Sequence, residues 1–290
     1  MTGPCARLLS QGRRLHLQHG PIDLVIGADG PEGAREAAFS AARRRFATIL
    51  QELVDELDLL RAPLGPGSAP PRGETARRMH AAALPFAPFG YLTRMAAVAG
   101  AVADTILAAM RAAAPLDRAH VNDGGDIALH LAPGRRYAAA MAFADGREAG
   151  RVEVAAGDGI GGIATSGRHG RSLSLGIADS VTVLARDGAT ADTAATLIAN
   201  AVDLPGHPAI RRRPACEIHP DSDLGAIPVV TGCGRLAAAE RRAALAAGAR
   251  RAEAFLGRGL IAGAALFLAG EVRLVGPLFA PIPQRRTEDA

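Results

Sequence analysis

Apolar and polar positions alternate at the start of the chain. Arg13, Leu15 and Leu17 interleave with Arg14, His16 and Gln18, and Ile22-Asp23-Leu24-Val25-Ile26 follows Gly20-Pro21. Two strands are expected there. The period then changes: Ala38, Phe39, Ala42, Phe46, Ile49, Leu50, Leu53, Leu57 and Leu60 recur at helical spacing with charges between them. This predicts one long helix, stopped by Pro63. Residues 63–73 are rich in Pro, Gly and Ser and read as an exposed loop or linker.

A second helix is expected from about Met95 to Ala113, built from small residues. His120-Val121-Asn122 then runs into a glycine turn, and Asp126–Leu129 starts a strand. Tyr137–Phe143 and Gly150–Ala155 read as a hairpin around Ala144-Asp145-Gly146, and Ser180–Ala185 as another strand. Asp192–Val202 and the alanine-rich stretch Leu236–Leu256 are the remaining helices, separated by a Pro- and Arg-containing loop. Ala264–Leu268 and Val272–Leu274 close the pattern as a hairpin around Ala269-Gly270. Strands and helices mix without strict β-α-β alternation, and no repeat of 20–50 residues is visible, so an α+β fold is expected.

Composition narrows the chemistry. The 290 residues include 33 Lys+Arg against 29 Asp+Glu, and every one of those cations is arginine. Without a lysine there is no Schiff-base enzyme, no Walker-type phosphate loop and no Ser-Lys hydrolase. A net charge of +4, with charges interspersed, gives no support for nucleic-acid binding. The triplets Arg43–Arg45 and Arg211–Arg213 read as solvated faces. Cys5, Cys216 and Cys233 are odd in number and lack C-x-x-C spacing, so neither a disulfide framework nor a zinc site is expected. Residues 1–20 lack the apolar core of a secretory signal, and the longest apolar run, Leu260–Ala269, is too short to span a bilayer. A cytoplasmic protein with no membrane partner is the expectation.

Few stretches concentrate chemistry. Gly157-Asp158-Gly159-Ile160-Gly161-Gly162 matches G-x-G-x-x-G, but no helix opens after it, so a dinucleotide fingerprint is rejected. Residues 162–172 gather Thr165, Ser166, Arg168, His169, Arg171 and three glycines. Guanidinium groups beside hydroxyls and free amides suit a phosphate, although a solvated loop has the same composition. Asp192 and Thr196 stand four apart on an expected helix, placing a carboxylate and a hydroxyl on one face. Such hard oxygen donors suit Mg²⁺, and an acid in a helix's first turn has the same look. Asn122-Asp123-Gly124-Gly125-Asp126 is a tight turn carrying two carboxylates. His16, His19, His207 and His219 read as surface or structural groups. No Ser-His-Asp order and no H-E-x-x-H is present.

Taken in order, these motifs resemble the ApbE-like superfamily of FAD:protein FMN transferases. Val121–Ile127 resembles its N-x-G-G-D-I turn, Ala164–Gly167 its T/S-S-G loop, and Asp192-x-x-x-Thr196 its metal-binding D-A-x-A-T helix. Ala99–Asp104 stands where that family has K-G-Y-A-x-D. The likeness is closer to an uncharacterised, cytoplasmic branch, through Met95–Ala103, Gly167–Asp179, Asp221–Gly225 and Gly259–Ala264. Two departures stand out: the segment H-I-x-D-P-x-T-G is absent, and the lysine before Gly100 is Ala99.

The resemblance implies a single unit over residues 1–290 with a T-fold-related architecture of mixed, largely antiparallel sheets and packed helices. It implies FAD or FMN, or another nucleotide-like small molecule, as ligand, with Mg²⁺ as cofactor. Asn122, Gly124, Gly125, Asp126, Thr165, Ser166, Gly167, Arg168 and Arg171 would contact the ligand, and Asp192 and Thr196 the metal. A backbone carbonyl from Met95–Ala99 is a further candidate ligand to the metal. The partners implied are a protein acceptor of FMN and a second copy of the chain. Two functions remain: a Mg-dependent flavin transferase, or a non-catalytic accessory protein that keeps the fold to bind a ligand or a protein.

Overall fold

The computed structural model describes residues 3–142, 148–170 and 172–279. The expected turn at Ala144–Gly146 and the candidate contact Arg171 lie outside them. The chain begins as a meander of β1 (Cys5–Leu9), β2 (Arg14–His19) and β3 (Ile22–Asp29). Alternation works as read: Leu15 and Leu17 of β2 and Ile22, Leu24 and Ile26 of β3 are buried on one face. β1, absent from the expected elements, is an almost wholly exposed edge strand.

The long helix is interrupted. α1 (Ala34–Val54) ends at Asp55, and a short α2 (Leu57–Arg61) follows. The break frees Glu56 to reach the next segment, where its carboxylate accepts from the amides of Arg72 (2.7 Å) and Gly73 (2.6 Å). Residues 63–73 are thereby tied to the body, and the Leu64 amide donates to Leu92 O at 2.8 Å. α3 (Glu74–Ala83) comes next. Two 3₁₀ turns, Leu84–Phe89 and Arg94–Ala97, lead into α4 (Val98–Ala113). Arg94 is buried to 1% exposure, and its guanidinium donates to Leu59 O, Ala69 O (2.7 Å each) and His80 Nδ1 (3.1 Å).

β4 (Arg118–Asp123), β5 (Asp126–Leu131), β6 (Arg136–Ala142), β7 (Glu148–Ala155), β8 (Gly162–Ser166) and β9 (Ser180–Ala185) follow. After them come α5 (Gly188–Ala201), β10 (Ile210–Pro214), β11 (Pro228–Cys233), α6 (Ala238–Gly257), β12 (Gly263–Leu268) and β13 (Glu271–Val275). Nine strands form one antiparallel sheet in the order β1-β2-β3-β4-β5-β8-β9-β12-β13. The pairs β6-β7 and β10-β11 are separate ribbons. The fold is α+β with antiparallel sheets, as expected.

Helices cover one face of the sheet. β2, β3 and β4 pack on α1 and α4 through Leu15, Leu24, Ile26, Val121, Phe46 and Ile106. β8, β9 and β12 pack on α5 and α6 through Ala164, Val183, Leu266, Ile198 and Phe255. The opposite face of β5, β8, β9 and β12 is covered by the β6-β7 ribbon and Phe279. Among the described residues one stretch, Arg94–Ala113, is long and apolar enough to cross a membrane. Here it is a core helix, packed against α1, α5, β4 and β5.

The loop expected before α6 contains the β10-β11 ribbon. Alternation turns Arg211 and Arg213 outward and Arg212 inward. Arg212 donates to Leu175 O and Asp203 Oδ1, each at 2.5 Å. The first triplet also departs from a wholly solvated face: Arg45 pairs with Glu52 at 2.7 Å and Glu74 at 3.5 Å.

Candidate functional site

The site is built where two helices begin. α5 starts a turn earlier than its apolar pattern suggests, because Asp187 is its N-cap and accepts from the Thr190 amide at 2.7 Å. Asp192 therefore lies in the second turn of α5 and serves another helix. Its Oδ2 accepts from Gly100 N, in the first turn of α4, at 3.1 Å, and the Ala99 amide donates to it too. In return, Asp104 of α4 accepts from Gly188 N and Ala189 N, both at 2.9 Å. The helices touch backbone to backbone: a Cβ at Gly100 would lie 2.2 Å from the Gly188 carbonyl oxygen.

Next to this crossing stands the turn between β4 and β5. Gly124 (φ +63°) and Gly125 (φ +118°) supply the left-handed backbone it needs. The Asn122 side chain accepts from Gly125 N at 2.8 Å. Alternation along β4 puts Asp123 on the helix-facing side with Ala119 and Val121, and Asn122 on the other. Along β5, Asp126 shares the side of Ala128, which packs into the helix-facing core. β8 closes the site: Thr165 N donates to Asp126 Oδ1 at 3.1 Å. Ser166 lies on the side of Ala164, facing α5, whereas the Thr165 hydroxyl turns away to bond Thr182 at 2.9 Å.

Asp123, Asp126, Ser166 and Asp192 thus share one side of the sheet, and Thr196 lies one helical turn beyond Asp192 on the same face. Arg168 is held differently. Its Nε and Nη2 both donate to Asp179 Oδ1, at 3.0 and 2.7 Å, and His169 approaches the same oxygen at 3.3 Å. Gly167, just before it, marks the end of β8.

Electrostatics sets the carboxylates apart from surface acids. Burial, with the nearby Asp123 charge, pushes Asp126 up to about 7 against the pull of the Thr165 amide. Burial and the Asp126 charge hold Asp192 well above the ordinary carboxylate range, despite the amides bonded to it. Asp123 and Asp104 are the residues that sequence reasoning left off the site. For Asp123 the signal was there, since it alternates with Ala119 and Val121. For Asp104 there was only its place in the K-G-Y-A-x-D-like stretch.

One consequence is measurable. Asp126 ionises near pH 4 in an unfolded chain and near 7 in the fold. The folded state binds more protons across that interval, so this group's contribution to stability falls as pH rises through it. Asp126→Asn removes the effect. In chelator-treated buffer the variant's advantage over its parent should grow by about 1–3 kcal/mol between about pH 5 and pH 8. Parallel unfolding curves at the two pH values would refute the assignment.

A family model described as AbpE bacteria matches residues 6–274. A UPF0280 protein of Methanopyrus kandleri is 31% identical over 179 residues, covering 61% of this chain and 69% of that protein. Its counterpart in Methanothrix thermoacetophila is 36% identical over 172 residues, covering 59% and 69%. Among solved structures, the ApbE protein of Thermotoga maritima aligns with a TM-score of 0.56 at 12% identity, over 90% of this chain and 96% of that one. An apo flavinyl transferase ApbE from Pseudomonas stutzeri aligns over 96% and 97%, at 13% identity and a TM-score of 0.48. At such identities the Thermotoga likeness is one of fold. The family match covers most of the chain: this protein belongs to the AbpE bacteria family and is a member of the ApbE-like superfamily.

Proposed function

We propose that this protein binds a flavin, FAD or FMN, together with Mg²⁺, and acts as a divergent flavin transferase. The observation that carries the reading is the convergence of Asp123, Asp126 and Asp192 on one side of the sheet, with charges that oppose one another. Among the described residues no three His, Cys, Asp or Glu side chains come close enough to hold an ion between them. A dedicated protein cage is therefore absent there. One carboxylate plus a hydroxyl and backbone oxygen is a donor set that fits Mg²⁺, which keeps waters and substrate phosphates in its shell.

In this reading Asp192 and Thr196 hold the cation, with a carbonyl from Met95–Ala99 as a third donor. Ser166 and the Asn122–Asp126 turn would line the ligand's phosphates, with Thr165, Gly167 and Arg168 beside them. Mg²⁺ bound there supplies charge neutralisation at a diphosphate. Asp126, steadied at Oδ1 by Thr165 N, takes up a proton at Oδ2 near neutral pH. During transfer of FMN to a protein hydroxyl, that oxygen accepts the hydroxyl proton as the O–P bond forms. The diphosphate bond breaks and AMP leaves. A second reading, a non-catalytic accessory protein, is favoured by Ala99 in place of the family's lysine and by the absent H-I-x-D-P-x-T-G segment.

Titrating FAD into the parent and into Asp192→Ala, with and without Mg²⁺, tests the proposal. The parent should bind FAD only with Mg²⁺, and the variant should lose affinity by on the order of 100-fold. FAD binding that ignores both Mg²⁺ and the substitution would overturn it. Mg-dependent binding without FMN transfer to a hydroxyl-bearing protein acceptor would select the accessory reading.

A further inference from the structure

The two helix starts at the site constrain one another. The first turn of any helix leaves four amides without intrahelical partners. Asp187 takes one of those in α5, and Asp104, reaching over from α4, takes those of Gly188 and Ala189. Asp192, reaching back from α5, takes Gly100 N and Ala99 N of α4. The exchange is reciprocal, and the contact between Gly100 and Gly188 leaves no side chain between the axes to absorb a shift. Rotation or sliding of α5 moves Asp192 and Thr196 directly, so the group that fixes its first turn fixes the placement of both oxygens.

We propose that Asp104 is the positioning residue of the cation site, setting the rotation and register of α5, and that Asp192 loosens its hold on the α4 amides when it engages a cation. The inference rests on the reading of Asp192 as a cation ligand. A carboxylate lone pair directed at an amide proton and one directed at a metal ion answer to the same kind of partner, so the two compete. The Ala99 and Gly100 amides, at the rim of the site, therefore report occupancy. α6, by contrast, is capped by its own Glu240, which accepts from Ala237 N at 2.6 Å, and serves as an internal reference.

Calorimetric titration with Mg²⁺ alone, combined with amide hydrogen exchange, tests this on the full chain. In the parent, saturating Mg²⁺ should speed exchange at Ala99 and Gly100 several-fold and leave α6 unchanged. Asp104→Ala should weaken Mg²⁺ binding about tenfold. Asp104→Asn, which keeps one acceptor oxygen, should fall between that variant and the parent, and it carries the test should the alanine variant not fold. Thr75→Ala removes the buried hydrogen bond from α3 to Thr105 (3.1 Å) and leaves the amide caps of α5 in place. It should lower the melting temperature and leave Mg²⁺ affinity as it was. Equal Mg²⁺ affinity in parent and Asp104→Asn, or unchanged exchange at Ala99 and Gly100 at saturation, overturns the positioning role. Failure of the parent itself to bind Mg²⁺ overturns the functional reading, and this inference with it.

Discussion

Replacing Gly100 by alanine should lower the melting temperature by roughly 2–10 °C. The new methyl carbon would sit 2.2 Å from the Gly188 carbonyl oxygen, 2.4 Å from its carbon and 2.6 Å from Ala189 N. All three are backbone atoms, so no side chain can rotate out of the way. The helices must part by about an ångström, which lengthens the bonds from Asp104 to Gly188 and Ala189 and from Gly100 to Asp192. Overpacking costs roughly 1–3 kcal/mol and a lost cap about 1 kcal/mol. Alanine's better helix propensity returns only about 1 kcal/mol. Thermal unfolding followed by circular dichroism checks this, with Gly257→Ala as the control. Nothing lies within 4 Å of a Cβ at Gly257, so that variant should melt near the parent. Equal melting of the two variants would show that α4 and α5 do not meet as described.

Arg94→Met should be more damaging still, by roughly 3–5 kcal/mol. The side chain volume is largely kept, but Leu59 O, Ala69 O and His80 Nδ1 all lose their donor in a partly buried setting. Each orphaned acceptor is worth about 1–3 kcal/mol. His80 gives an independent readout. Burial first, and the Arg94 charge second, hold its imidazole below the ordinary value. A lowered histidine supplies stability that is present above the unfolded pKa and fades as pH falls through the folded one. In the methionine variant the His80 titration, followed by NMR, should move up toward the ordinary histidine value. An unmoved titration together with a small stability loss would contradict the buried-guanidinium arrangement.

The sequence made the strongly periodic elements legible, and they are those whose apolar face decides their packing. β2, β3, α4, α6 and the β12-β13 hairpin stand close to where alternation or helical spacing puts them. What escaped was structure held by polar or backbone contacts. β8 reads as a glycine- and hydroxyl-rich loop, yet it is a central strand between β5 and β9. β10 hides behind three arginines, of which only Arg212 turns inward. α3 is amphipathic but only ten residues long, and its buried face is mostly alanine, so it does not stand out. At the site, Asp192 was found as a helical acid, but its partner is a helix start about ninety positions away in sequence. Periodicity carries no information about such a bond. Arg168 reads as a phosphate contact, and its pairing with Asp179, eleven residues on across a loop, is invisible to periodicity.

The reciprocal caps also bear on how the molecule comes together. They join residues 84, 85 and 92 positions apart, and between them lie β4, β5, β8 and β9, the centre of the nine-stranded sheet. Closing loops of that length requires the intervening strands to be in register first, because only the assembled sheet brings the two helix starts within reach. A growing or half-folded chain therefore holds Asp192 apart from the Asp123–Asp126 turn, as ordinary, solvated acids. The clustered carboxylates exist only in the finished protein. Their chemistry is withheld until folding is complete.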